Sequence, residues 1–160
     1  MKKFRKGFTL VELLIVIGII GSLSAMMMVS NSEAQNAAKV TKINEGFRSL
    51  SVAMLMLYNE DTASADKITE GYEGRIVAGA RRYIKNDSML DEETGETGTY
   101  FVTIKGSTWW LGYYLPEETG AINELLKKKA ADFDLKQEAS NKPKDAKSYE
   151  GGSTIYVNVR

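Results

Sequence analysis

Three patterns of hydrophobic and polar residues follow one another along the chain. The first is a nearly continuous apolar run over residues 8–29. Its interruptions after Leu13 are all small residues: Gly18, Gly21, Ser22 and Ser24. An apolar run of about 20 residues can cross the hydrocarbon core of a bilayer as a helix. Four basic residues precede it, namely Lys2, Lys3, Arg5 and Lys6. Because such residues stay cytoplasmic, the pattern predicts a membrane helix with the rest of the chain outside.

The second pattern has the period of an amphipathic helix. Apolar residues recur at spacings of three and four: Val40, Ile43, Phe47, Leu50, Met54 and Leu57. The preceding stretch, 30–42, contains neither proline nor glycine and favours a continuing helix. We therefore predict one helix from Phe8 to about Tyr58, roughly 75 Å long at 1.5 Å per residue. Its stripe is expected to pack on the protein's own sheet, with contact to another copy as the alternative.

The third pattern is that of a small mixed domain. The sequence predicts a loop at 59–66 and then a helix over 68–84 that glycines interrupt. An acidic loop at 91–98 and a hairpin of strands 99–105 and 109–115 follow. The last predicted elements are a helix at 121–135, a polar loop at 141–152 and a closing strand at 153–159. We expect an α+β fold in which the long N-terminal helix packs on a small antiparallel β-sheet.

The second strand of the hairpin carries two pairs of adjacent aromatic residues, Trp109 with Trp110 and Tyr113 with Tyr114. Neighbours on a strand point to opposite faces of the sheet, so one member of each pair is expected to face inward and the other outward. Outward aromatic side chains either reflect strand propensity alone or bind a partner.

Composition narrows the classes of function. The 160 residues hold 21 basic and 21 acidic side chains, which argues against a nucleic-acid binder held by bulk charge. The chain has no cysteine and no histidine, so it lacks a thiol nucleophile, the commonest general base and the commonest transition-metal ligand. We therefore expect no catalytic residues, no metal site and no cofactor, and interpret the acidic loop as solvated in preference to calcium-binding.

Glu12 does not fit a simple membrane segment. A carboxylate near the start of a membrane helix costs several kcal/mol unless it is paired or neutralised. Three interpretations compete for this segment: a cleaved secretory signal, a plain signal anchor, and a precursor that is cut before the apolar run. Glu12 favours the third interpretation, because a cut before Phe8 would create an α-amine able to pair with it.

The residues Lys6-Gly7-Phe8-Thr9-Leu10-Val11-Glu12, followed by the apolar run, resemble the type IV pilin family, in the class with a short leader and an N-methylphenylalanine. The resemblance implies that a peptidase cuts between Gly7 and Phe8, that Phe8 is then N-methylated, and that Glu12 pairs with the α-amine of a neighbouring subunit. Loss of the four basic leader residues would leave 21 − 4 = 17 basic against 21 acidic side chains, a side-chain charge of −4.

The resemblance also implies a division of the chain and a set of partners. Residues 1–7 would be the leader, 8–29 the membrane and filament-core helix, 30–58 its amphipathic continuation, and 59–160 the globular head. The partners would be copies of the chain and other pilins, a prepilin peptidase and methyltransferase, an assembly ATPase, an inner-membrane platform and membrane lipid. The precursor would cross the cytoplasmic membrane once, with its head outside, and the filament would be extracellular or periplasmic.

Two other roles remain open from the sequence. One is a pseudopilin of a type II secretion system, and the other is a membrane-anchored extracellular binding module that does not polymerise. The chain also departs from the family at Val29, where many members have a proline. Whether the helix melts near residues 18–24 on assembly therefore stays open, since glycines there either soften the helix or allow close packing.

Overall fold

One long helix dominates the structure, a computed structural model that describes residues 7–60, 73–84, 90, 97–116 and 120–160. The helices are α1 (Leu10–Glu60), α2 (Glu73–Ala80) and α3 (Gly120–Lys129), and 3₁₀ turns cover Arg81–Tyr83 and Pro143–Asp145. The strands are β1 (Tyr100–Lys105), β2 (Thr108–Tyr114) and β3 (Thr154–Asn158). The expected α+β fold, a long N-terminal helix with a small antiparallel sheet, is confirmed.

Helix α1 runs without a break for 51 residues, and its second half forms one side of the core. All six residues of the predicted stripe are buried, with exposed fractions between 0% at Leu50 and 8% at Leu57. They pack against core residues of β1, β2, α2 and α3. The periodicity of three and four residues therefore identified the packed face of α1 correctly.

Helix α1 approaches the sheet closely at Gly46. The hydroxyl of Tyr100 on β1 donates a hydrogen bond of 2.8 Å to Ile43 O. Its ring also packs edge-to-face on Phe47, with 5.2 Å between the centroids. A Cβ at residue 46 would overlap the hydroxyl and ring of Tyr100, so only glycine fits here.

The sheet is antiparallel, with strand order β1-β2-β3. Phe101 pairs with Gly112, and Gly112 pairs in turn with Tyr156. The hairpin turn is at Gly106 and Ser107, where Gly106 has a φ of +62° that favours glycine. The predicted turn included Thr108, which instead begins β2.

The two tryptophans of β2 point to opposite faces of the sheet, as expected, but both are buried, so the outward one is not exposed. Trp109 lies on the α1 side and Trp110 on the opposite face, with exposed fractions of 1% and 0%. Trp110 is covered because the chain after α3 folds across that face, and its Nε1 donates a 2.8 Å hydrogen bond to Ser140 O. Tyr113 and Tyr114 are half-buried.

Helix α3 ends at Lys129, six residues before the predicted end at Leu135. Two aspartates follow, and negative charge is unfavourable at a helix C-terminus. Asp134 takes a left-handed φ of 52°, and the chain then directs Leu135 into the core, where its exposed fraction is 1%. The competing requirement to bury Leu135 thus overrides the helical pattern.

The predicted polar loop at 141–152 also has more structure than expected. Lys136 exchanges two backbone hydrogen bonds with Tyr156 on β3, of 2.8 and 3.0 Å, and Tyr149 N donates to Leu135 O at 3.0 Å. Tyr149 has an exposed fraction of 2%, and its hydroxyl lies 2.9 Å from both Asn123 Oδ1 and Gly152 O. The chain from Lys136 to Tyr149 therefore covers the β3 edge of the sheet.

Three predicted segments fall wholly or partly outside the described residues. The loop at 59–66 is described only at Asn59 and Glu60, which belong to α1. The glycine-interrupted helix at 68–84 is described from residue 73 on, as α2 and the 3₁₀ turn. The acidic loop is described only at Thr97 and Gly98.

Candidate functional site

The N-terminal half of α1 is an apolar rod that the protein's own fold does not cover. Every large hydrophobic residue whose exposure the structure gives between Leu10 and Met28 is at least 48% exposed. The most apolar 18-residue window has a mean hydropathy of 2.3, and none of it is buried. By length and composition this helix can cross a membrane. A rod that lies in neither lipid nor protein would expose far more apolar surface than soluble proteins tolerate.

Small residues in this rod have no role in the protein's own packing. A Cβ built at Gly18 or Gly21 would meet nothing within 4 Å. Ser22 and Ser24 donate their hydroxyls to Ile19 O and Ile20 O, each at 2.8 Å. Since their polar atoms are satisfied within the helix, they carry no penalty in lipid. The missing side chains at 18 and 21 leave room for another helix.

The start of α1 is a capping box made by Thr9 and Glu12. Thr9 Oγ1 accepts a hydrogen bond from the backbone N–H of Glu12 at 3.3 Å. The Glu12 carboxylate reaches back in turn, and its Oε2 accepts from Thr9 N at 2.8 Å and from Thr9 Oγ1 at 2.7 Å. Two backbone donors at the helix end are thus satisfied by side chains.

This arrangement gives Glu12 a partner within its own chain. The sequence indicated that Glu12 is a carboxylate in need of a partner, but the role of Thr9 was not predicted from it. The missed signal is the spacing Thr-x-x-Glu immediately before an apolar run, which is the sequence signature of a capping box. Both donors of Thr9 contact the same carboxylate oxygen, Oε2.

The other two candidate residues, Gly7 and Phe8, precede the helix. Neither belongs to a regular element, and Phe8 is 86% exposed. A Cβ at Gly7 would meet nothing within 4 Å. Gly7 and Phe8 are thus exposed and lie directly before the capping box.

We expect the Thr9→Val substitution to loosen the first turn of α1. It removes the hydroxyl that caps Glu12 N, and loss of such a cap costs about 1 kcal/mol. Hydrogen exchange of the Val11 and Glu12 amides, measured on the full chain in detergent micelles, should accelerate roughly fivefold, the factor that corresponds to that free energy. Thr9→Ser keeps the cap and serves as the control. Equal exchange in Thr9→Val and the native chain would show that the box does not stabilise the helix.

No metal centre accompanies this site in the part of the chain that the structure describes. That part contains no group of three or more His, Cys, Asp or Glu side chains able to hold an ion. Between Gly7 and Glu12, the polar side chains that the structure describes are the hydroxyl of Thr9 and the carboxylate of Glu12.

Comparison with known proteins gives a match at the N-terminus of the chain. Residues 2–28 match the prokaryotic N-terminal methylation motif, and this range includes Gly7, Phe8, Glu12 and the apolar rod as far as Met28. No curated protein and no solved structure gives a significant match to the chain. The matched motif, on a long apolar helix, is the N-terminal signal of type IV pilins and pseudopilins, and this chain carries it.

Proposed function

We propose that the protein is a structural subunit of a type IV pilus or pilus-like filament, processed after Gly7 and assembled through the apolar half of α1. The observation that carries the proposal is the conjunction of the methylation motif with an apolar rod that has no cover in its own fold. As a precursor the rod lies in the membrane. On assembly it packs against the rods of other subunits, which replace lipid as its surroundings.

The methylation motif supports processing at the first residues of the chain. A cut between Gly7 and Phe8 removes the basic leader and leaves a new α-amine one residue before Thr9. In the membrane, that amine and the Glu12 carboxylate each relieve the other's cost of desolvation when they come from adjacent subunits. A neighbouring amine can bind Oε1 of Glu12 while Thr9 keeps Oε2, so the capping box need not open for the pair to form.

The pair would set register more than it adds stability. A subunit in register with its neighbour satisfies both charges, whereas a slipped subunit leaves two buried charges unpaired, at a cost of about 3–5 kcal/mol. The charge pair then determines the axial offset between neighbouring subunits. The packing of apolar helices holds the filament together. No enzymatic chemistry is required of this chain; it is a substrate of the peptidase and the methyltransferase.

The remaining partners and the location follow from this role. We propose that an assembly ATPase and an inner-membrane platform draw precursors from the cytoplasmic membrane, with the head, 59–160, on the outer side. The motif is common to pilins and pseudopilins. A pseudopilin filament would stay within the cell envelope, while a pilus would reach the surface, so the location of the processed chain separates the two roles.

N-terminal peptide mass spectrometry of sheared surface material and of membranes tests the proposal. We expect a chain that begins at methylated Phe8 in filaments, and a Gly7→Val variant that keeps its leader and stays in the membrane. Gly120→Ala is a suitable control, because a Cβ at residue 120 meets nothing within 4 Å. A mature chain that retains Met1, or one cut after Ala25, would refute the proposal.

A further inference from the structure

Three consecutive methionines end the apolar rod. Met26, Met27 and Met28 are 76%, 77% and 80% exposed, whereas the large hydrophobic residues from Val11 to Leu23 are 48–64% exposed. We call these three residues the methionine run. They are three of the seven methionines in the chain, and polar residues begin at Ser30. The methionine run therefore lies where the apolar half of α1 meets its polar half, and the described part of the head leaves it uncovered.

The methionine run differs from the rest of the rod in its chemistry. From Phe8 to Ala25 the side chains carry only hydrocarbon, hydroxyl or carboxyl groups. Peroxides oxidise a thioether in preference to any of these groups. The sulfur lone pair attacks one oxygen of hydrogen peroxide, the O–O bond breaks, and the second oxygen leaves as water with both protons. The sulfur is oxidised to a sulfoxide, so an apolar side chain becomes a polar one.

One packed neighbour cannot shield all three sulfurs. At about 100° per residue, the three side chains spread over about 200° of the circumference of α1. A helix packed on one of them leaves another facing lipid headgroups or water. The run lies at the end of the rod away from the basic leader, so it is expected on the outer side of the membrane. An oxidant that arrives from outside therefore reaches it without crossing the hydrocarbon core.

We propose that the methionine run is an oxidation site whose sulfoxides shorten the apolar rod and suppress filament assembly. The proposal rests on the filament function and adds a modification that regulates it. Leu10 and Met28 are about 27 Å apart along a helix, close to the roughly 30 Å of a bilayer's hydrocarbon core. With sulfoxides at 26–28, the apolar length ends at Ala25, about 23 Å from Leu10. The shortened rod fits the core poorly, and polar groups enter the contacts between rods.

Treatment of membranes that contain the full chain with hydrogen peroxide tests the site. Peptide mass spectrometry that resolves each methionine should show at least about threefold more oxidation at the methionine run than at Met54, which is 0% exposed in the core of the head. Alkaline carbonate should extract the oxidised chain at least about threefold more readily than the untreated chain. Its yield of sheared filament should fall at least about threefold.

Leucine substitutions separate oxidation of the run from other effects of peroxide. The triple variant Met26→Leu, Met27→Leu and Met28→Leu keeps the rod apolar and removes its sulfurs. After peroxide, its filament yield should stay within about twofold of its untreated yield. Met56→Leu is the matched control, because Met56 is 48% exposed on the same helix but lies beyond the rod. This control should remain as sensitive to peroxide as the native chain.

Glutamine substitutions imitate the sulfoxides without an oxidant. The triple variant Met26→Gln, Met27→Gln and Met28→Gln should lower filament yield at least about threefold in untreated cells. Ala37→Gln, exposed on α1 beyond the rod, should leave the yield within about twofold.

Three results would overturn the proposal. The methionine run could stay reduced while Met56 is oxidised, the run could be oxidised without loss of filament yield, or the leucine variant could be as sensitive to peroxide as the native chain. An untreated native chain that forms no filament would instead refute the filament function. Carbonate extraction of the oxidised chain would still test the oxidation site in that case.

Discussion

Replacement of Glu12 by alanine is expected to abolish most filament assembly while leaving the cut after Gly7 intact. The variant keeps the cleavage bond but leaves the α-amine of a neighbouring Phe8 without its carboxylate. Loss of one partner from a buried pair costs about 3–5 kcal/mol at each subunit contact. We therefore expect at least about a hundredfold drop in sheared filament, measured beside the ratio of processed to unprocessed chain in membranes.

Glu45→Ala is the matched control for this substitution. Glu45 is an exposed carboxylate on the same helix but lies beyond the apolar rod, so its loss should change neither filament yield nor processing.

Glu12→Ala also disrupts the capping box, since it removes the acceptor of Thr9 N and of Thr9 Oγ1. Thr9→Val loosens the helix start but keeps the carboxylate. Equal assembly defects in Thr9→Val and Glu12→Ala would assign the defect to capping and contradict a role for the charge pair.

Gly46→Ala is expected to destabilise the head by about 2–4 kcal/mol, although alanine is ordinarily the better helix former. A Cβ at residue 46 overlaps the Tyr100 hydroxyl and ring. Tyr100 must then move, which breaks its hydrogen bond to Ile43 O and disturbs its contact with Phe47. Urea unfolding of the full chain in detergent, followed by fluorescence of the two buried tryptophans, measures the loss.

Tyr100→Phe measures the contribution of the hydrogen bond to stability separately from the steric overlap that Gly46→Ala creates. It removes the bond to Ile43 O without adding an atom, and should cost about 1 kcal/mol. Gly120→Ala, in open space at the start of α3, should change stability by less than about 0.5 kcal/mol. A Gly46→Ala chain as stable as the native protein would mean that α1 and β1 separate easily, contrary to the packing described.

The long helix was predictable because its signals are local. Every position of the stripe from Val40 to Leu57 repeats at a helical spacing, and no proline interrupts the chain before Pro116. The hairpin was equally accessible, since β-branched and aromatic runs flank a glycine turn. For the helix, the pattern within one segment determines which face is buried, and the structure confirms it.

Burial of the sheet face opposite α1 could not be predicted from a local pattern. Trp110 is covered by Ser140, 30 residues further along the chain, and Tyr149 is held by Asn123 and Gly152. Residues 135–150 carry no periodic apolar pattern, so nothing local indicates that they fold across a sheet. The early end of α3 has the same origin, because burial of Leu135 is a long-range requirement that competes with local helix propensity.

The candidate site was accessible almost entirely from sequence. Gly7, Phe8 and Glu12 were identified by their order and spacing, and residues 2–28 match the methylation motif. The roles assigned to these three residues remain proposals. Thr9 was overlooked because it was treated as part of the motif and not as a helix cap.

The way α1 lies on the sheet has a mechanical consequence. Phe47 contacts Tyr113 at one end of β2, and Tyr58 contacts Trp109 at the other, so the helix runs lengthwise along the strand. A pull along the helix axis loads all contacts from Val40 to Leu57 together, in shear, instead of peeling them one after another. Detachment of the head from α1 under tension then requires all contacts of the interface to break at once. The rate of detachment is therefore low at forces that would quickly break the same contacts one after another.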